Sequence, residues 1–217
     1  MRVRGRESLS WRMMEAAEKA GAPHSAMVEL TWRCPLRCRH CYLPAAERAR
    51  REEPAELGTG ELRRVFDEMA ELGVLYLTLS GGEICRRPDL PELVAHARRN
   101  SFDVRLFTSG ALVTPPLAAE LARRGVARAE ISLYGREETH DRITGVPGSY
   151  GRSLAGARLL KANGIAVTIK APLMNLNIPD YPFLVRLAEE EGFLYGFDPT
   201  VVPRDDGDKT PTAFRCS

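Results

Sequence analysis

Apolar, strand-like runs alternate with amphipathic helical patterns along most of this 217-residue chain. The runs are rich in Val, Ile, Leu, Phe and Tyr, which are residues that favour strands. In the segments between them, apolar residues recur at helical spacing, as Leu62, Phe66 and Met69 do. Such alternation predicts a parallel sheet covered by helices, because parallel neighbours need a crossover that is usually a helix. The predicted strands cover residues 26–31, 74–80, 104–109, 129–133, 165–171 and 193–197.

The number of β–α units favours an open barrel over a closed one. A complete eight-fold barrel usually takes about 250 residues, and six units fit this chain better. We therefore predict an α/β fold, a partial (β/α)6 TIM-like barrel with parallel strands. Several strands are nearly continuous apolar runs, so we expect them to be buried on both faces. The predicted helices are residues 10–20, 61–72, 88–99, 115–124 and 150–163, one between Asp180 and Gly192, and a partly helical stretch over residues 45–58.

Three of the five cysteines, Cys34, Cys38 and Cys41, lie within eight positions after the first predicted strand. An odd number of clustered cysteines argues against a disulfide framework and favours a metal site in a reducing compartment. A loop with this spacing can wrap three thiolates around a [4Fe–4S] cluster, each sulfur binding one iron. The alternative is a structural zinc site, which normally takes four ligands. Its fourth ligand would have to be His40, since the other cysteines are isolated in the sequence.

The C-x3-C-x2-C spacing of these cysteines, followed by the aromatic Tyr42, resembles the hallmark motif of the radical SAM superfamily. The segment Ser80-Gly81-Gly82-Glu83 is similar to the GGE motif of that family. Residues 131–135 and 140–150 resemble the subgroup that modifies peptides and proteins, whose members often carry a C-terminal SPASM or Twitch extension. The chain ends before the position of such an extension.

The resemblance implies that Cys34, Cys38 and Cys41 are the metal ligands and catalytic residues. They would hold a [4Fe–4S] cluster whose fourth iron chelates S-adenosylmethionine. Ser109 stands where the family often has Asn, and a serine can still form the hydrogen bond. The residues implied to bind the cofactor are Tyr42 at the adenine, Gly81, Gly82 and Glu83 at the methionine amino group, Ser109, Ser132, and Arg142 at the carboxylate.

The implied reaction is reductive cleavage of S-adenosylmethionine to methionine and a 5′-deoxyadenosyl radical, which abstracts hydrogen from a substrate. An external electron donor of the flavodoxin or ferredoxin type would be the partner, and a peptide or small precursor the substrate. Lys170 and Asp198, at later strand ends, are candidate substrate contacts or else an ion pair at the barrel mouth. A catalytically inactive module that binds the cluster or S-adenosylmethionine is the alternative function.

The predicted site residues share one edge of the sheet. In open α/β sheets, ligands bind at the C-terminal ends of the strands. The cysteines follow the first predicted strand and the two glycines of GGE follow the second, while Ser109 and Ser132 end the third and fourth. We divide the chain into an N-terminal segment (residues 1–25), the barrel core (residues 26–200) and a tail (residues 201–217) expected to be loop.

The composition of the chain argues against several classes of function. Lys and Arg number 31 against 29 Asp and Glu, so the net charge of +2 gives no argument for nucleic acid. No apolar stretch approaches the roughly 20 residues that span a bilayer. The basic N-terminus lacks the apolar run of a secretory signal. We therefore expect a cytoplasmic protein.

Overall fold

The computed structural model describes residues 9–49 and 56–216 of the chain. Six parallel strands form one sheet in the order β1-β2-β3-β4-β5-β6. Among the described residues β1 and β6 do not pair, so the sheet is an open, partial TIM-like barrel, as predicted. Each strand ends within two residues of its predicted bounds. The strands are β1 Ser25–Thr31, β2 Tyr76–Gly81, β3 Asp103–Thr108, β4 Arg128–Ser132, β5 Ala166–Pro172 and β6 Leu194–Asp198.

The predicted helices are confirmed, with ends that shift by one or two residues. Helix α2 lies at the start of residues 45–58, the stretch predicted to be partly helical. Residues 50–55 of that stretch lie outside the described residues. Residues 1–8 of the predicted N-terminal segment and residue 217 of the tail lie outside them too. The helices are α1 Leu9–Ala20, α2 Ala45–Ala49, α3 Thr59–Glu71, α4 Leu90–Arg99, α5 Pro115–Arg123, α6 Glu137–Thr144, α7 Ser149–Ala162 and α8 Tyr181–Glu191.

Helix α6 was not predicted from the sequence. Its eight residues are mostly polar, so they show no apolar period that marks a helix. Gly145 ends it in the left-handed conformation, with φ of 67°. The tail, expected to be loop, also contains a short 3-10 helix over Thr210–Phe214, whose Pro211 is buried.

The four inner strands alternate between a fully buried side and a half-buried side. Leu79 and Leu106 are completely buried and pack in one core with helix residues such as Phe66. The other side carries polar residues, among them Arg105 and Glu130, whose Nη1 and Oε1 atoms are 3.0 Å apart. The expectation of burial on both faces is therefore wrong for this second side. An open sheet leaves its inner face partly in water, and cross-strand ion pairs suit that environment.

Within the described ranges, no helix has the combination of length and apolar character that crossing a membrane requires.

Candidate active site

A cavity of about 250 Å³ opens at the C-terminal ends of the strands. Cys34, Cys38 and Cys41 all border it, on the loop that follows β1. The opposite wall comes from the ends of β2 to β6 and the residues just after them. Of the other predicted site residues, Tyr42, Gly81, Gly82, Ser109 and Ser132 border the cavity as well, whereas Glu83 and Arg142 do not.

The cysteine loop (residues 34–41) is held by backbone hydrogen bonds to helix α6. The amides of Arg37 and Arg39 donate to the carbonyls of Thr144 and Ile143, at 2.8 and 3.0 Å. These carbonyls belong to the last turn of α6, where a helix leaves acceptors unused. The unpredicted helix therefore positions the loop that carries the thiols.

The three thiols lie in a water-poor environment. Burial raises the pKa of Cys34 to about 12 and also raises the pKa of Cys38 and Cys41. In all three cases the positive charge of Arg48 acts against this rise. Iron binding would displace the thiol protons, since the thiolate is the ligand.

The donor set suits a cluster better than a single ion. Soft thiolates are the usual ligands of iron–sulfur clusters. In the part of the chain that the structure describes, no three His, Cys, Asp or Glu side chains converge closely enough to hold one metal ion. A cluster does not need that convergence, because each thiolate binds a different iron.

Gly81 and Gly82 allow the backbone at the end of β2 to pack directly against the backbone of Thr31 and Trp32. Gly81 has φ of +134°, and a Cβ atom there would lie 2.2 Å from the carbonyl oxygen of Thr31. A Cβ atom on Gly82 would lie 2.4 Å from the carbonyl oxygen of Trp32. The amide of Gly82 donates to the Thr31 carbonyl at 2.6 Å. The glycine pair thus joins the end of β2 to the start of the cysteine loop, in addition to lining the cavity.

The Glu83 carboxylate lies behind the cavity wall and is completely buried. One oxygen accepts from the Thr108 hydroxyl at 2.5 Å and the Cys85 amide at 3.1 Å. The other accepts from both the amide and the hydroxyl of Ser109, the amide at 3.0 Å. Glu83 therefore ties the segments after β2 and β3 together. The Cys85 thiol packs near Thr108 and does not border the cavity.

Tyr134, which the sequence reasoning missed, joins the two sides of the cavity. Its side chain is buried, and its ring packs edge-on against His40 of the cysteine loop, with centroids 4.8 Å apart. Its ring stacks on His140, with centroids 5.3 Å apart. Tyr42, directly after the cysteine loop, donates a hydrogen bond from its hydroxyl to Glu29 of β1. Two phenol groups thus hold the loop against the sheet.

The segment of residues 140–150 has a structural task. Asp141 accepts hydrogen bonds from the Ser149 hydroxyl at 2.8 Å and the Tyr150 amide at 2.9 Å, which fixes the start of α7. His140 Nδ1 accepts from the Tyr134 amide at 3.2 Å. Arg142 is exposed and donates to the carbonyl of Leu176 at 3.3 Å. The structure does not bring Arg142 together with the other predicted site residues.

Charged side chains gather at the β4–β5–β6 side of the cavity. Lys170 Nζ lies 3.0 Å from Glu130 Oε2 and 4.8 Å from the centroid of the Phe107 ring. Asp198, at the end of β6, accepts from the Thr200 amide at 2.8 Å. Lys170 therefore pairs with Glu130, a partner that the sequence reasoning did not consider.

Arg48 is the second residue that the sequence reasoning missed. It lies in α2, within a segment rich in Ala, Glu and Arg where no position stands out. Only its burial, at 7% exposure, and its place on the cavity wall distinguish it.

Sequence comparison places this site in a known family. The profile of the Radical SAM superfamily matches residues 28–188. PqqA peptide cyclase from Gluconobacter oxydans is 40% identical over 172 residues, which cover 78% of this chain and 47% of that protein. Fe-coproporphyrin III synthase from Methanosarcina barkeri is 35% identical over 162 residues, covering 75% of this chain and 40% of that protein. The chain spans less than half the length of these curated relatives.

Solved structures share the fold. SuiB of Streptococcus suis bound to S-adenosylmethionine matches with a TM-score of 0.70 and 18% identity, covering 86% of this chain and 43% of that chain. Methylornithine synthase (PylB) matches with a TM-score of 0.67 and 15% identity, covering 94% of this chain and 64% of that chain. Since the superfamily profile covers most of the sequence and the identity to a curated relative reaches 40%, the chain belongs to the radical SAM superfamily, whose cofactors are a [4Fe–4S] cluster and S-adenosylmethionine.

Proposed function

We propose that this chain cleaves S-adenosylmethionine reductively, with a [4Fe–4S] cluster held by Cys34, Cys38 and Cys41, and starts radical chemistry on a substrate. The observation that carries the proposal is that all three thiols border one cavity with the ends of β2 to β6. When bound, the cluster supplies the electron that breaks the C5′–S bond and releases the hydrogen-abstracting 5′-deoxyadenosyl radical.

The residues of the chain bind and orient the cofactor. Gly81 and Gly82 expose backbone at the cavity wall, where a ligand can approach the main chain closely. The Ser132 hydroxyl offers a donor and an acceptor to a polar cofactor, whereas the Ser109 hydroxyl already donates to Glu83 and can only accept. Tyr42 follows the last cysteine and offers its backbone to the adenine. All five of these residues border the cavity, which agrees with the proposed roles.

Glu83 and Arg142 have weaker support as cofactor contacts. The Glu83 carboxylate is engaged by four donors behind the wall, so reaching an ammonium group would require that arrangement to open. Arg142 is exposed and does not border the cavity. Their contacts with the methionine amino group and carboxylate stay predictions.

A peptide is the proposed substrate class, with a small precursor as the other candidate. Relatives named as PqqA peptide cyclase support the peptide, while a relative named as Fe-coproporphyrin III synthase shows that similar chains are assigned to another chemistry. Lys170 and Asp198 at the cavity wall are the proposed substrate contacts. A flavodoxin or ferredoxin type donor in a reducing cytoplasm would supply the electron; free cysteines agree with that compartment.

Anaerobic reconstitution with iron and sulfide tests the proposal. We expect visible thiolate-to-iron charge-transfer absorbance and, with dithionite and S-adenosylmethionine, release of 5′-deoxyadenosine. Cys38→Ala should lose both signals, and Cys216→Ala, the same change at an exposed cysteine away from the cavity, should keep both. Zinc without iron in anaerobically purified protein would contradict the proposal. Bound S-adenosylmethionine without 5′-deoxyadenosine would favour the inactive binding module.

A further inference from the structure

Arg48 is a buried cation without a carboxylate partner in the part of the chain that the structure describes. Its side chain is 7% exposed and borders the cavity together with the three cysteines. Toward the described residues its guanidinium donates one long hydrogen bond, from Nη1 to the Cys38 carbonyl at 3.5 Å, and its Nε finds no acceptor among them. Arginine stays charged in proteins, and a buried charge is costly unless it is compensated.

The position of Arg48 indicates what compensates its charge. Its side chain lines the same cavity as Cys34, Cys38 and Cys41, and its Nη1 reaches the carbonyl of Cys38. The Arg48 carbonyl also accepts a hydrogen bond from the Cys34 amide at 3.1 Å, so α2 and the cysteine loop are held together. The group that this cation faces is therefore the thiol triad itself.

We infer that Arg48 is a positioning residue for the cluster, whose positive charge stabilises the negative charge of the thiolate-bound cluster and raises its reduction potential. This inference rests on the proposed function. Three thiolates give such a cluster a net negative charge, and reduction adds one more. Net charge, nearby hydrogen bonds and solvent exposure set the potentials of iron–sulfur centres. A fixed, poorly hydrated cation at the cavity wall changes the net charge around the cluster.

Arg48→Gln tests the role of the charge, because glutamine keeps a polar group of intermediate length. Arg48→Met is a second neutral variant, and Arg48→Lys keeps the charge. Arg37→Gln is the matched control, since Arg37 is an exposed arginine of the cysteine loop that does not border the cavity. All four and the wild type are reconstituted anaerobically and reduced with dithionite in the presence of mediators, and electron paramagnetic resonance measures the reduced fraction.

We expect both neutral variants to lower the ratio of reduced to oxidised cluster about tenfold at a given potential, a shift of about 59 mV for a one-electron couple. Arg48→Lys and Arg37→Gln should stay close to the wild type. Urea unfolding of the iron-free protein is the second measurement. Because the described residues offer the removed charge no carboxylate, the neutral variants should be at least as stable as the wild type, whereas loss of a structural arginine would destabilise the fold.

Several results would overturn the inference. One is a neutral variant that takes up iron normally and keeps the wild-type potential. Another is marked destabilisation of the iron-free neutral variants. A third is a wild-type potential combined with loss of S-adenosylmethionine binding, which would assign Arg48 to that cofactor. If the neutral variants fold but lose iron while Arg48→Lys keeps its iron, the role of the charge is supported. If Arg48→Lys loses its iron too, the shape of the arginine side chain is responsible and the inference fails. A wild type that takes up no cluster would refute the proposed function as well.

Discussion

Replacing Glu83 by glutamine tests how the buried carboxylate supports the cavity wall. Each carboxylate oxygen accepts one backbone N–H, from Cys85 or Ser109, and one hydroxyl, from Thr108 or Ser109. A glutamine amide has only one oxygen, so its NH2 group must face one of the two backbone N–H groups. The hydroxyl on that side can rotate and accept a hydrogen bond, but a backbone N–H cannot. One buried N–H therefore loses its acceptor in either orientation of the amide.

The cost follows from these four contacts. A buried donor left unpaired costs about 1–3 kcal/mol, and hydrogen bonds to a charged group are stronger than neutral ones by about 1 kcal/mol each. The lower cost of burying a neutral amide offsets part of this loss, because Glu83 forms no ion pair within the described residues. We expect the free energy of unfolding of Glu83→Gln to fall by about 2–4 kcal/mol.

Urea unfolding of the reduced, iron-free protein, followed by far-UV circular dichroism, measures this difference. The slope of the free energy against urea should stay the same, so that the midpoint shift reports stability. Glu92→Gln is the matched control: the Glu92 side chain is 50% exposed in an ion pair with Arg63, and its loss should cost less than about 1 kcal/mol. A Glu83→Gln protein within about 0.5 kcal/mol of the wild type would refute the reasoning, since a single unpaired N–H already exceeds that value.

Two further perturbations act on the same scaffold. Gly82→Ala places a Cβ atom 2.4 Å from the Trp32 carbonyl oxygen and should lower the free energy of unfolding by about 1–3 kcal/mol in the same assay. The control is Gly60→Ala, which has open space around it and should be neutral or stabilising by up to about 1 kcal/mol. Equal effects of the two substitutions would contradict the clash at Gly82. Burial lowers the pKa of His140 to about 4, so the unfolded state binds more protons as pH falls through the range between 6.5 and 4. Stability from neutral His140 is complete above pH 6.5 and should be about 2 kcal/mol lower at pH 5. His140→Gln, which keeps an acceptor for the Tyr134 amide, should lose this part of the pH dependence, and an unchanged dependence would contradict it.

The strands could be predicted because their signal is local. Apolar residues such as Leu79 and Leu106 are needed wherever a strand packs against helices, so the runs appear in the sequence whatever the rest of the chain does. The location of the site residues at one edge of the sheet then follows from topology, since parallel strands all end on the same side. For the same reason Gly81 and Ser132 could be predicted to lie at this edge, and both border the cavity.

Other features depend on contacts between distant residues, which spacing cannot reveal. The burial of Arg48 and its contact with the Cys38 carbonyl arise when a short helix folds over the cysteine loop. Glu83 follows two cavity glycines, yet its side chain turns away because donors after β3 engage it. Helix α6 has a single apolar residue, Ile143, so its sequence shows no apolar period, and its backbone contacts with Arg37 and Arg39 could not be read from side chains. Sequence reasoning identifies residues near a site more readily than the direction in which a side chain points.

The contacts around the cysteine loop imply that cluster binding and folding are linked. The loop is held at its start by the Gly82 backbone against Thr31 and Trp32, and further along by the last carbonyls of α6. Both anchors act through backbone groups, and both determine where the thiols lie. Because the free energy of metal binding adds to that of folding when the site forms only in the folded state, loss of an anchor should weaken cluster uptake before it affects any chemical step. Iron content per folded protein is therefore a more direct readout of these scaffold residues than the yield of 5′-deoxyadenosine.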